Sequence, residues 1–143
     1  MDLTAAKLVY HQSAVIPVRR HAKGQWQVLM ITSRKRRRWI FPKGMVEPKM
    51  KPRDSAAKEA LEEAGVKGRV DKVALGSYRI KKRRGVCEVE IYALYVDKIL
   101  KKWQEDFRKR RWVDLADAPK KVGESGFLPS LKALSNRLSS RSH

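Results

Sequence analysis

The order of elements readable in the chain predicts an α/β protein, a mixed sheet covered by helices on both faces. Three observations carry this expectation. Two apolar runs open the chain at residues 8–20 and 25–33; residues 53–64 have helical periodicity and contain no Gly, Pro or β-branched residue; and further strand-like runs are followed by two helical ones. With 143 residues, 42% of them hydrophobic, the whole chain 1–143 is expected to form one domain with a real core.

Taken in order, 8–20 (LVYHQSAVIPVRR) and 25–33 (QWQVLMITS) read as strands joined by a polar hairpin at 21–24. His11 and His21 are isolated and read as surface or strand-edge residues. Five consecutive cations at 34–38 must lie in a loop, because no strand can bury them. After Pro52, which suits a first helical turn, the run 53–64 forms a helix that Gly65 stops. Residues 70–80 and 86–96 read as two long strands joined by a second basic turn at 81–85. Glu88 and Glu90 share one sheet face there, as exposed partners for nearby Lys or Arg. The charged connection 103–111 leads to a short strand at 112–113, and Asp114 or Asp117 caps a helix that Gly123 ends. The closing helix, 129–138, turns Leu128, Leu131, Leu134 and Leu138 inward, and 139–143 is expected to fray.

Composition narrows the setting. Thirty-four Lys and Arg against fifteen Asp and Glu give a net charge of +19, which forecasts attraction to polyanions. Cys87 is the only cysteine, so no internal disulfide can form, and it reads as a small buried hydrophobe. The start, MDLTAAKLVY, has no leader-like apolar segment, and no apolar run reaches the roughly 18 residues of a membrane span. A cytoplasmic protein with no membrane partner is expected.

Against this basic background, three of the fifteen acids crowd into the five positions 59–63. On a helix Glu59 and Glu63 are nearly stacked and Glu62 flanks them, opposite a stripe of Ala56, Ala57, Ala60, Leu61 and Ala64. A solvated acidic face is the plain alternative, but like charges at this spacing repel unless a cation sits between them. Hard divalent ions such as Mg²⁺ take such oxygens.

The stretch 44–66 resembles the signature of the Nudix hydrolases, G-x5-E-x7-R-E-U-x-E-E-x-G-U with U aliphatic. Gly44, Glu59, Ala60, Glu62, Glu63, Gly65 and Val66 match in register, while Met50 replaces a Glu and Lys58 an Arg. The preceding turn is similar to that of the diphosphoinositol and diadenosine polyphosphate hydrolases, with Glu47 and Pro48 matching and Lys43 in place of a glycine. The resemblance implies an α/β/α sandwich with a mixed, partly antiparallel sheet, and hydrolysis of phosphoanhydrides. It implies Mg²⁺ or Mn²⁺ held by Glu59, Glu63 and the Gly44 carbonyl, with Glu62 taking a proton from the attacking water and Lys58 beside it. Arg34, Arg38 and Lys43 are expected to grip substrate phosphates, and Glu105 or Asp106 to bring a further acid from a late loop.

A Glu at 50 and an Arg at 58 would plausibly pair. Their joint loss leaves Lys58 with Glu62, one turn on, and restoring both residues is expected to raise turnover more than either alone. A cationic mouth favours polyphosphorylated small molecules, inositol pyrophosphates and dinucleoside polyphosphates above a simple nucleoside triphosphate. No aromatic pair marks a base-stacking slot, although Trp39 or Tyr78 is placed to serve. Two alternatives stand beside this one: removal of pyrophosphate from RNA 5′ ends, and a fold that binds RNA or polyphosphate without turnover. The oligomeric state is not legible.

Overall fold

The computed structural model describes residues 8–141; residues 1–7, on which the expectation of no leader-like segment mostly rests, and the last two residues of the expected frayed end lie outside the described residues. Near-continuous apolar sequence marks a strand buried on both sides, and β1 (Leu8–Arg20) is that strand. Its Ala14, Val15, Ile16 and Val18 are all inaccessible to solvent. β1 turns back through a hairpin at Gly24, where φ is +90°, into antiparallel β2 (Trp26–Thr32). Along its other edge it pairs in parallel with β7 (Gly85–Ile99), from Leu8 opposite Gly85 to Val18 opposite Tyr95.

The remaining pairings are antiparallel. β3 (Trp39–Ile40) and β8 (Arg110–Asp114) lie on β2, and β4 (Lys43–Met45) lies on β1. β5 (Val66–Val70) and β6 (Gly76–Lys82) both lie on β7. The sheet is thus mixed, in the order β3-β2-β1-β7-β5 with β4, β6 and β8 off that path.

One strand expected over 70–80 is therefore two. Asp71 is buried at the break, where its carboxylate accepts hydrogen bonds from Arg69 Nη1 at 3.0 Å, the Tyr95 hydroxyl at 2.9 Å and Arg137 Nη1 at 3.1 Å. A buried carboxylate is tolerated only with such partners, and two of the three come from distant elements, so local strand propensity is overridden.

Helices cover both faces. α1 (Pro52–Glu59) runs on into a π-helical turn (Ala60–Ala64) and packs over Val15, Leu29, Ile31 and Leu94. Its contact residues Ala56, Ala60 and Ala64 have no long side chains, so the helix backbone comes close to the sheet. On the other face, α2 (Ala118–Lys121), a 3₁₀ turn (Ser125–Phe127) and α3 (Leu128–Arg141) cover Ile16, Val18, Val89 and Ile91. Cys87 is buried in this layer.

Leu131, Leu134 and Leu138 are buried as expected, but Leu128 is 40% exposed because it opens α3 directly after the 3₁₀ turn. Residues 139–141 continue the helix and do not fray. α2 is a single turn whose N-cap Asp117 makes no side-chain cap bond. No described helix is long and apolar enough to cross a membrane.

Leu134→Ala should cost about 2–5 kcal/mol of stability in denaturant unfolding. Leu128→Ala should stay within about 0.5 kcal/mol, and equal costs would contradict this assignment of the inward face.

Candidate active site

The last turn of a helix leaves carbonyls without partners, and here the chain from 100 to 110 supplies them one by one. The Glu105 N–H donates to Glu62 O at 2.9 Å, and Trp103 Nε1 to Glu63 O at 3.0 Å. Arg110 Nη1 donates to Ala64 O at 3.0 Å, and the Leu100 N–H to Gly65 O at 2.8 Å. Gly65, at φ +65°, ends the helix against the Trp103 ring, on which the Arg110 guanidinium also stacks at 3.8 Å. These bonds hold the turn that carries Glu62 and Glu63. In the sequence this segment reads as a charged connection that offers Glu105 or Asp106 as a further acid, with no sign that it closes the helix end.

β4 comes to the helix from the sheet side. Gly44 lies opposite Ser13 of β1, and Ser13 Oγ donates to Pro52 O at 2.7 Å, joining this part of the sheet to the start of α1. A Cβ on Gly44 would collide with the Glu59 carboxylate, so any larger residue here would have to push that carboxylate aside. The neighbouring Lys43 N–H donates to Glu63 Oε1 at 3.3 Å.

Glu59 and Glu63 are only 8% and 9% exposed, which rules out a solvated acidic face. Burial, with the Glu62 charge next, raises the Glu59 pKa. Burial above all pushes Glu63 up to about 8; the charge of Glu59 adds to the rise, while Arg108 and the Lys43 N–H oppose it. Neither carboxylate is in an ion pair among the described residues. No three His, Cys, Asp or Glu side chains converge there as a metal cage. What converges is two carboxylates beside the Gly44 backbone, a hard-oxygen set that fits Mg²⁺ or Mn²⁺ and would be relieved of its burial cost by either.

Glu62 stands at the rim, its side chain 23% exposed, and its Oε2 lies 3.0 Å from Lys58 Nζ. Lys58 is not left with Glu62 alone. Its ammonium also lies 2.9 Å from Glu47 Oε1, a residue not foreseen in the site, and hydrogen bonds to Glu47 first and then Glu62 raise its pKa. Met50 turns instead to a cleft lined by His11, Gln12, Val46 and Pro52.

The expected phosphate-gripping residues lie in different places. Arg34 reaches the site edge, 3.8 Å from Glu105 Oε1 and over the Phe107 ring. Arg38 Nη1 donates to Gly123 O at 2.9 Å, and its side chain lines a basic cavity of about 400 Å³ with Arg36, Arg37, Trp39 and Lys109. Strand alternation sends the Lys43 side chain to the face opposite α1, where its ammonium pairs with Glu124. Of the two late acids, Glu105 is held beside the pair by Arg108 at 2.9 Å, while Asp106 is exposed. Tyr78 stacks on Phe127 at 5.6 Å with its hydroxyl buried. Glu88 pairs with Arg79, as expected of an exposed sheet face, whereas Glu90 accepts from the Tyr92 hydroxyl at 2.7 Å.

A glycine-bearing turn set against a helix of inward glutamates fits the matching family model, a NUDIX domain spanning residues 9–132. The chain belongs to the Nudix family. It is 40% identical over 101 residues to "Nudix hydrolase 16, mitochondrial" of Arabidopsis thaliana, covering 64% of this chain and 56% of that protein. It is 38% identical over 96 residues to diphosphoinositol polyphosphate phosphohydrolase 2 of Rattus norvegicus, covering 65% and 52%. The chain thus spans about half the length of these two relatives. In fold it is similar to a C. elegans Ap4A hydrolase, with a TM-score of 0.71 at 18% identity over 92% of this chain and 99% of that one. The Nudix domain of Shewanella oneidensis NrtR complexed with ADP ribose gives 0.72 at 16% identity over 96% and 94%.

A carboxyl pKa raised on folding gives stability that is complete below the unfolded value and is lost as pH rises through the folded value. In metal-free protein the melting temperature should therefore fall between about pH 4.5 and about pH 8, where Glu63 titrates. Glu63→Gln should flatten that slope, and Mn²⁺ should lift the wild type most at the alkaline end. Calorimetry across this range checks it, and identical slopes in both proteins would contradict it.

Proposed function

We propose that the chain is a metal-dependent pyrophosphohydrolase that cleaves phosphoanhydride bonds in highly charged substrates. The observation that carries this reading is the buried pair Glu59 and Glu63, outside any ion pair among the described residues and set against Gly44, with the more exposed Glu62 beside it.

Glu59, Glu63 and the Gly44 carbonyl would hold Mg²⁺ or Mn²⁺. When bound there, the ion supplies neutralisation of phosphate oxygens and acidifies the attacking water. Glu62, kept at the rim by Lys58, accepts the proton as the water oxygen bonds to phosphorus. The bridging P–O bond breaks, and the leaving phosphate departs with the electron pair. Arg34, at the rim, would face the charge on the substrate, and Glu105, paired with Arg108, lies beside the two buried acids.

The substrate class follows from charge. The exposed basic segments 34–38 and 81–84 favour inositol pyrophosphates or dinucleoside polyphosphates, and the rat relative and the C. elegans structural neighbour are named for substrates of these two kinds. The same surfaces would also suit an RNA 5′ end.

Phosphate release from a panel of inositol pyrophosphates, dinucleoside polyphosphates, nucleoside triphosphates and 5′-triphosphorylated RNA, with Mg²⁺ or Mn²⁺, tests this. Glu62→Gln should lower kcat by about 100-fold or more on the preferred substrate, as loss of a general base does. Equal rates in wild type and Glu63→Gln would overturn the hydrolase reading. Tight RNA binding with a steep salt dependence and no turnover would favour a binding protein instead.

A further inference from the structure

Lysine is a poor substitute for arginine where a neighbour must be held in one orientation, because an ammonium on a flexible stem lacks the planar fork. Lys58 also meets Glu62 in the weaker helical order. A base four residues before an acid stabilises less than the reverse arrangement, and either is worth only a few tenths of a kcal/mol. By itself the Lys58–Glu62 pair, with side chains 34% and 23% exposed, would leave Glu62 free to wander.

The structure adds a second anchor from outside the helix. A tight turn, with Lys49 at φ +67° and the Met50 N–H donating to Glu47 O at 3.1 Å, follows the Gly44 strand. Its Glu47 meets Lys58 Nζ at 2.9 Å while Glu62 meets it at 3.0 Å. The ammonium, with three donors, thus bridges an acid of the glycine turn, 53% exposed, and an acid of the helix, so that each contact limits where the other can move.

We propose that Glu47 is a positioning residue that, through Lys58, fixes the Glu62 carboxylate relative to Gly44 and so does the work for which Met50 lacks the side chain. Resting on the hydrolase reading above, this identifies what lets the chain depart from the motif at positions 50 and 58. It ties the proton acceptor to the same loop that carries Gly44. It also changes the expectation for the restored motif, because Lys58 already has its outside partner.

Kinetics on the preferred substrate and NMR of the Lys58 ammonium in full-length protein test it together. Glu47→Ala should lower kcat about tenfold, with KM and Mn²⁺ affinity within about twofold, and Glu47→Asp should recover most of the loss. Met50→Glu alone should leave kcat within about twofold. The Lys58 Nζ signal should shift in Glu47→Ala and return toward its wild-type position in Glu47→Asp. Wild-type kcat in Glu47→Ala, a several-fold gain in Met50→Glu, or a loss of Mn²⁺ affinity parallel to the loss of kcat would overturn it. The comparison of wild type with Glu63→Gln judges the hydrolase reading separately. If that reading fails, the ammonium signal still decides the contact, and a signal unmoved by Glu47→Ala refutes it.

Discussion

The backbone of Gly44 lies against the carboxylate of Glu59, and much of the surrounding structure serves to keep it there. A buried carboxylate is costly, and two side by side are costlier, unless a cation or protons accompany them. Glu59 and Glu63 are held in that condition from three sides. The alanine face of α1 brings the helix down onto the sheet, Ser13 bonds Pro52 across the partner strand of β4, and the 100–110 chain closes the helix end. A less determined frame would let the pair separate and hydrate.

The acids of this region are sorted by what faces them. Glu59 and Glu63 point inward and have no basic partner within ion-pair distance among the described residues. Glu62 shares Lys58 with Glu47 at the rim, and Glu105 is held by Arg108, itself 6% exposed and also donating to Thr32 O at 2.8 Å. Glu47, Glu62 and Glu105 thus each have a cation partner, and the buried pair has none among the described residues. Much of the remaining positive charge is exposed, the segments 34–38 and 81–84 among it, and a surface charge of this sign favours polyanions in general.

The helix, its glycine stop, the two hairpins and the mixed sheet were legible because each is written in local periodicity or turn chemistry. The inward glutamates were legible only through their order after the glycine turn, since periodicity alone reads them as solvated. What escaped was set by residues far apart in the chain. The break between β5 and β6 depends on Tyr95 and Arg137 reaching Asp71, and the partner of Lys58 lies eleven residues upstream in a turn. The Lys43 side chain was assigned to the phosphate site because the short strand β4 was not foreseen; its alternation turns that side chain away while leaving the backbone N–H on Glu63. The early hint of Glu47 was its match, with Pro48, to the turn of the diphosphoinositol and diadenosine polyphosphate hydrolases, which gave it no partner.

The central claim is that Gly44 and the two buried glutamates form one ion-binding unit whose shape depends on the missing side chain at position 44. Mn²⁺ titration of Gly44→Ala, followed by electron paramagnetic resonance with the fold checked by circular dichroism, measures this directly. The account predicts a folded protein whose Mn²⁺ affinity falls by tenfold or more, about 1.4 kcal/mol, because the added methyl displaces Glu59. Wild-type affinity in a folded Gly44→Ala protein would contradict it.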